Sequence, residues 1–67
     1  MKTTEMPKVF EGYTPTHKHC EFYLRSDGAL FIKYTHSGVA RRFNDEYYDE
    51  DADIFHMLTM AGYSADC

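Results

Sequence analysis

The chain of 67 residues has a formal net charge of −4 and is 43% hydrophobic and 16% aromatic, values typical of a small globular domain rather than a disordered segment. A chain this short leaves much of its surface exposed, so we expect one domain, residues 1–67, with a small core and no deep substrate cavity. No apolar stretch approaches membrane length, the N-terminal residues lack the apolar centre of a signal peptide, and two cysteines are too few for a disulfide framework. We therefore expect a complete small gene product that is cytoplasmic and does not associate with membranes.

The first segment, residues 1–17, contains one short apolar pair, Val9-Phe10, before Gly12 and Pro15. This pattern fits two alternatives, an extra edge strand of a sheet or an arm that packs as a loop.

Residues 18–44 are predicted to form a three-stranded antiparallel meander with two glycine-containing turns. A two-residue first turn would mix apolar and charged side chains on each face of the sheet. A three-residue loop, Ser26-Asp27-Gly28, separates them if Gly28 adopts the left-handed conformation. The pairs predicted by this register are Leu24–Leu30, Phe22–Ile32 and Cys20–Tyr34 on the apolar face, and Tyr23–Phe31 and Glu21–Lys33 on the other face.

The second turn, around residues 36–38, leads into the sequence VARRF. We predict a loop of even length, because it places Val39 and Phe43 on the apolar face of the sheet. The same register also brings Arg41 to that face, where its stem must extend along an edge to reach water.

A helix is predicted over residues 49–62, because Ile54, Met57, Leu58 and Ala61 recur at i, i+3, i+4 and i+7. Gly62 is suited to the C′ position of a Schellman cap, in which the following residue contacts the last turn.

The start of the helix is limited by the cost of burying carboxylates. A helix beginning at Asp45 would turn Glu50 and Asp51 into its apolar stripe, where unpaired charges are destabilising. We therefore predict a start at Asp49 or Asp51, one of which would be the N-cap.

These elements predict an α+β fold in which the C-terminal helix covers one face of the meander. The predicted core is formed by Phe22, Leu24, Leu30, Ile32, Tyr34, Val39, Phe43, Ile54, Met57, Leu58 and Ala61.

Charge is divided unequally along the chain. Residues 1–44 carry seven Lys/Arg and four Asp/Glu, a charge of +3, whereas residues 45–67 carry seven Asp/Glu and no Lys/Arg, a charge of −7. Residues 45–53, called the acidic segment below, hold six of these carboxylates and two adjacent tyrosines. Such asymmetry indicates a charged partner.

We predict that the acidic segment, at the start of the helix, is the binding surface of a non-enzymatic protein-binding or inhibitory module. Tyrosines are enriched at binding hot spots, and negative charge steers association with a basic partner, for example a protein that handles nucleic acid. Short acidic proteins without motifs are common among phage and mobile-element inhibitors, which is an association rather than a physical argument. The predicted binding residues are Asp45, Glu46, Tyr47, Tyr48, Asp49, Glu50 and Asp51.

A simpler alternative is that the acidic segment only caps the helix and forms its solvated first turn. This alternative accounts for residues 49–53, but it gives no reason for Asp45 and Glu46.

The sheet face that points away from the helix suggests a different function. The predicted register places Tyr23 beside Phe31, with Arg25 and Lys33 at their flanks, an arrangement that can stack bases and contact phosphates. Nucleic-acid binding through these four residues is therefore the alternative function, although the net negative charge of the chain disfavours it. Packing of the N-terminal segment or homodimer formation would also cover this face.

An EF-hand is not supported. Asp49, Asp51 and Asp53 copy the spacing of its first three ligands, but Ile54 and Met60 occupy the positions that require Gly and Glu.

The sequence H-x-H-x-E, formed by His17, His19 and Glu21, would present three metal ligands on one face of a continuous strand. Because Pro15 lies just upstream, this metal site is only a weak alternative, and we expect no cofactor. We also expect no enzyme: the sequence has no nucleophile elbow, phosphate-binding loop or CxxC motif. In addition, Cys20 and His19 are neighbours on a strand and point to opposite faces.

Overall fold

A five-stranded antiparallel sheet and one short helix make up the part of the chain that the structure describes, residues 7–49 and 51–66 of a computed structural model. The strand order is β4-β3-β2-β1-β5. In chain order the elements are β1 Lys8–Tyr13, β2 His19–Leu24, β3 Ala29–Tyr34, β4 Ala40–Tyr47, α1 Ile54–Met60 and β5 Ser64–Ala65. The α+β class is confirmed, but the sheet has more strands than the three predicted. The helix has 7 residues, too few to cross a bilayer.

The N-terminal segment supplies a strand rather than a loop. β1 pairs with β2, and its other side pairs with the two-residue strand β5, which the sequence did not predict. A bulge between Lys8 and Phe10 shifts the register, so that Phe10 points into the core.

The predicted register of β2 and β3 is confirmed. All five predicted pairs are present, and the loop of three residues ends at Gly28, whose φ is +102°. Only glycine adopts this conformation readily, and a Cβ at this position would also meet the carbonyl oxygen of Tyr48 at 2.7 Å. The turn therefore both sets the register of β2 and β3 and lets the end of β4 pass close by.

The first part of β4 pairs with β3 in the predicted register, and the later part does not. Arg41 pairs with Ile32, as the even loop requires. Val39, however, is 59% exposed, because pairing begins only at Ala40, so its place in the predicted core was wrong. Further along, the register shifts between the pair Phe31–Arg42 and the pair Ala29–Tyr47. β4 also continues to Tyr47, beyond the predicted end of the meander at residue 44.

The helix is shorter than predicted and begins later. Its N-cap is Asp53, whose carboxylate accepts the backbone N–H of His56, so the predicted caps at Asp49 and Asp51 were wrong. The positions one turn before Ile54 on the stripe are Glu50 and Asp51, so an earlier start would turn carboxylates toward the core.

The C-terminus of the helix is a Schellman cap. Gly62 has φ +102° and donates its N–H to Thr59, while Tyr63 donates its N–H to the carbonyl oxygen of Leu58. The prediction for Gly62 is confirmed, whereas Ala61, placed in the predicted core, is exposed.

The core lies on one face of the sheet, where α1 contacts β1 and β5 rather than the three strands of the predicted meander. Phe22 is fully buried at its centre, with the rings of Phe10, Phe43 and Tyr63 against it at centroid distances of 5.2–5.8 Å. The buried cluster consists of Phe10, Cys20, Phe22, Leu30, Ile32, Ile54 and Leu58, and the predicted core residues Leu24, Tyr34, Phe43 and Met57 are half-buried around it.

Candidate functional site

The acidic segment and a groove without carboxylates lie at opposite ends of the sheet. The backbone N–H of Tyr48 donates to Gly28, so the acidic segment begins beside the β2–β3 turn. At the other end, a shallow groove of about 390 Å³ is lined by Thr16, Lys18, Tyr34, His36, Ser37 and Arg41, with no carboxylate among them. Lys18 and Arg41 thus lie away from the acidic segment, whereas Arg42 lies over the ring of its Tyr47.

The acidic segment does not lie as predicted at the start of a helix. Residues 45–47 are the end of strand β4, the residues that follow form a connection to α1, and Glu50 lies outside the described residues. The side chains of Asp45, Glu46, Asp49 and Asp51 are exposed, and none forms an ion pair with another described residue. Among the described carboxylates of the segment, Asp53 alone accepts a hydrogen bond with its side chain, as the helix cap.

The two adjacent tyrosines have different environments. Tyr47 is 62% exposed, and the guanidinium of Arg42 lies 4.8 Å from its ring centroid. Tyr48 is half-buried against the core, and its hydroxyl accepts a 2.8 Å hydrogen bond from the side-chain amide of Asn44. Tyr47 is therefore the tyrosine that a partner could contact, whereas Tyr48 anchors the segment.

The outward sheet face brings together the four residues predicted for nucleic-acid binding. Arg25 lies over the ring of Phe31 at 5.3 Å, and the Lys33 ammonium lies 5.5 Å from the ring centroid of Tyr23. With the pair of Arg42 and Tyr47, this face carries three cation–π contacts.

Carboxylates neutralise much of the positive charge on this face. Arg25 pairs with Asp27 at 2.8 Å, and Lys33 approaches Glu21 at 3.9 Å. Tyr23 donates its hydroxyl to Glu21 at 2.6 Å, and this hydrogen bond lowers the pKa of Glu21 and raises that of Tyr23. A phosphate backbone would have to compete with these carboxylates.

The predicted H-x-H-x-E ligands do not lie on one strand. β2 begins at His19, whereas His17 lies in the preceding turn with φ 68°. The ring of His19 instead faces Glu11 of β1 and Asp66, which follows β5. Sequence reasoning missed this cluster because it depends on the pairing of β1 with β5.

No protein-family model matches this chain, and neither the curated proteins nor the solved structures contain a significant match to it.

Proposed function

We propose that this chain is a non-enzymatic, cytoplasmic protein-binding module that presents the acidic segment to a basic surface of its partner. The observation that supports this proposal most directly is the set of four exposed carboxylates, Asp45, Glu46, Asp49 and Asp51, without ion-pair partners among the described residues. They flank Tyr47, the more exposed of the two tyrosines, in the sequence.

Electrostatics favour a role in binding over a role in folding. Like charges close together repel and destabilise the compact state, and among the described carboxylates of the segment Asp53 alone compensates by capping the helix. A basic partner would relieve the repulsion among the others and would also be steered toward them during diffusion. Proteins that handle nucleic acid have such basic surfaces, and a phosphate-like row of carboxylates would inhibit them by competition.

Tyr47 is the proposed anchor of the interface. Tyrosine has a large apolar ring with a polar tip and loses little conformational entropy on binding, which is why it is frequent at hot spots. Its only described aromatic or cation contact is with Arg42, so a partner has access to the opposite side of the ring.

The test is capture of a partner from a lysate of the source organism with immobilised wild-type protein and three variants. The substitutions Asp45→Asn and Glu46→Gln, made together, change the net charge from −4 to −2 while preserving side-chain shape. The matched control, Val39→Lys with Met60→Lys, reaches the same net charge at exposed positions outside the acidic segment. The third variant is Tyr47→Ser.

We expect the partner to be lost or strongly depleted with Asp45→Asn/Glu46→Gln and with Tyr47→Ser, and to be retained by the control. For a purified partner, association should slow by about tenfold at low salt in the acidic-segment variant. Equal capture by the acidic-segment variant and the control would show that the acidic segment is not the binding surface.

The outward sheet face supports a second candidate, the binding of single-stranded nucleic acid, because three cation–π pairs occupy one open face. It ranks below the first because carboxylates already pair with Arg25 and Lys33. Titration with labelled single-stranded DNA and RNA at low and moderate salt tests it. Binding that weakens with salt and is lost in Phe31→Ser supports this candidate, and absence of binding at low salt eliminates it.

A further inference from the structure

We propose that Glu11, His19 and Asp66 form a binding site for one divalent transition-metal ion, with Zn²⁺ as the reference ion. This site is independent of the acidic segment. Its ligands come from β1, from β2 and from the residue after β5, so it depends on the folded sheet.

The distances between the donor atoms of the cluster match those between neighbouring ligands of one metal ion. Nε2 of His19 lies 3.4 Å from Oε2 of Glu11 and 3.5 Å from Oδ2 of Asp66. Two ligands bound at about 2.0–2.2 Å in tetrahedral geometry are separated by about 3.4 Å. A charge-assisted hydrogen bond from a protonated imidazole would instead be about 2.7–2.9 Å long. The contacts of His19 are longer than such a hydrogen bond and have the spacing of ligands around an ion placed between the three atoms.

Carboxylates lie close together across the sheet around His19. Glu11 lies opposite Glu21 on β2, and its carbonyl oxygen accepts the N–H of Asp66 on its other side. Carboxylates on adjacent strands at this spacing destabilise a sheet. Lys8 bridges Glu11 and Glu21 at 3.0 and 3.5 Å, but no Lys or Arg ion pair is present at Asp66 in the described structure.

The imidazole is oriented for this role by groups that are not ligands. Nδ1 of His19 is hydrogen-bonded to the hydroxyl of Thr35, and the ring packs edge-on against Tyr13 at 5.1 Å. When Nδ1–H donates to Thr35, the lone pair of Nε2 points toward the two carboxylates, the arrangement that holds most metal-binding histidines.

The donor set selects the class of ion. One imidazole and two carboxylates suit zinc, iron(II), cobalt or manganese, whereas calcium and magnesium prefer oxygen ligands alone. Glu11 offers one oxygen, because Lys8 occupies the other, so the protein supplies three donor atoms and leaves at least one position for water or an external ligand.

The experiment uses the untagged full chain, freed of metal with a chelator and titrated with Zn²⁺ by calorimetry. We expect one ion per chain, with affinity reduced at least tenfold by His19→Gln and by Asp66→Asn. The matched controls are His36→Gln, which removes an exposed histidine outside the cluster, and Asp45→Asn/Glu46→Gln, which removes two carboxylates of the acidic segment. Both controls should bind as the wild type does, and Ca²⁺ should bind far more weakly than Zn²⁺.

A measurement on the wild type keeps the test valid if a variant unfolds. The side-chain ¹⁵N signals of His19 should show metal coordination at Nε2 with the proton on Nδ1. The proposal fails if Zn²⁺ leaves these signals unchanged, if no Zn²⁺ binds, or if binding is lost in the acidic-segment control and retained by His19→Gln. The first of these results would mean that His19 is not a ligand of the ion.

Discussion

Substitution of Gly12 by alanine should detach β5 and leave the rest of the sheet intact. Gly12 pairs with Ala65, and a Cβ at residue 12 would lie 1.9 Å from the carbonyl oxygen of Ser64 and 2.9 Å from the Cα of Ala65. Both obstacles are backbone atoms of β5, which cannot move aside by changing a rotamer. Because Gly12 is not among the glycines with positive φ, alanine itself fits the strand, and the conflict is purely steric.

The cost follows from the contacts that hold β5. Loss of the strand removes its pairing with β1 and the 2.9 Å hydrogen bond from the N–H of Asp66 to Glu11. Two or three backbone hydrogen bonds contribute about 2–3 kcal/mol in total, and the regained freedom of three residues offsets part of that. We expect a loss of about 1–2 kcal/mol in the free energy of unfolding, which lowers the melting temperature by about 5–15 °C in a domain of this size.

Urea denaturation and amide hydrogen exchange together test this prediction. The N–H of Asp66 should lose its protection from exchange in Gly12→Ala. The amides of Phe22 and Ile32 should still exchange only through global unfolding, with protection that matches the free energy of unfolding of the variant. The control is the same substitution in a chain that ends at Tyr63, where the Ser64 carbonyl is absent. In that shortened chain the substitution should leave the free energy of unfolding unchanged or raise it by about 0.4–1 kcal/mol, because alanine restricts the unfolded chain more than glycine does. An equal loss of stability in the full and shortened chains would refute the steric argument.

Three further predictions concern single side chains. Asp53→Ala removes the helix cap and should lower the free energy of unfolding by about 0.5–2 kcal/mol in urea denaturation, and no change would show that the cap is dispensable. The Arg25 guanidinium lowers the pKa of Asp27 from 3.8 to about 2, so the stabilisation from this pair should be complete above pH 3.8 and lost as the pH falls through about 2. NMR titration of the Asp27 carboxyl should show its pKa rising in Arg25→Gln, and an unchanged pKa would contradict the assignment. Burial raises the pKa of the Cys20 thiol, so in a Cys67→Ser background it should react with a thiol reagent only as fast as the protein opens, and rapid reaction under native conditions would contradict its burial.

The part of the fold that the sequence predicted is the part determined by short-range patterns. The register of β2 and β3 follows from alternation of apolar side chains about a turn that requires glycine at residue 28, and all five pairs are as predicted. The cap at Gly62 follows from the end of the apolar stripe of α1. Both patterns lie within one hairpin or one helix, so the local sequence contains the information needed to predict them.

The features that the sequence did not predict depend on contacts between distant segments or on irregular backbone. β5 has two residues, and nothing in Ser64-Ala65 distinguishes it from a loop until β1 is present beside it. In β4, the side-chain amide oxygen of Asn44 accepts the N–H of Glu46 at the irregularity, which interrupts the alternation that would have identified residues 45–47 as strand. The cluster of Glu11, His19 and Asp66 also depends on contacts between distant segments, because it needs β1 and β5 in register.

The two proposed binding sites should respond differently to added salt, and the spacing of charges along β4 is part of the reason. Arg41 and Asp45 belong to the same strand, and four residues of strand span about 13 Å. That distance exceeds the screening length of about 8 Å at physiological ionic strength, so Arg41 does not cancel the field of the acidic segment. Arg42, which lies over the ring of Tyr47, offsets only one of its negative charges. Association through the acidic segment should therefore slow steeply as salt is added. The affinity of the cluster at His19 for Zn²⁺ should change much less, because direct coordination bonds at short range determine it. If both respond equally to salt, the metal is held by the general negative field of the protein and not by the three proposed ligands.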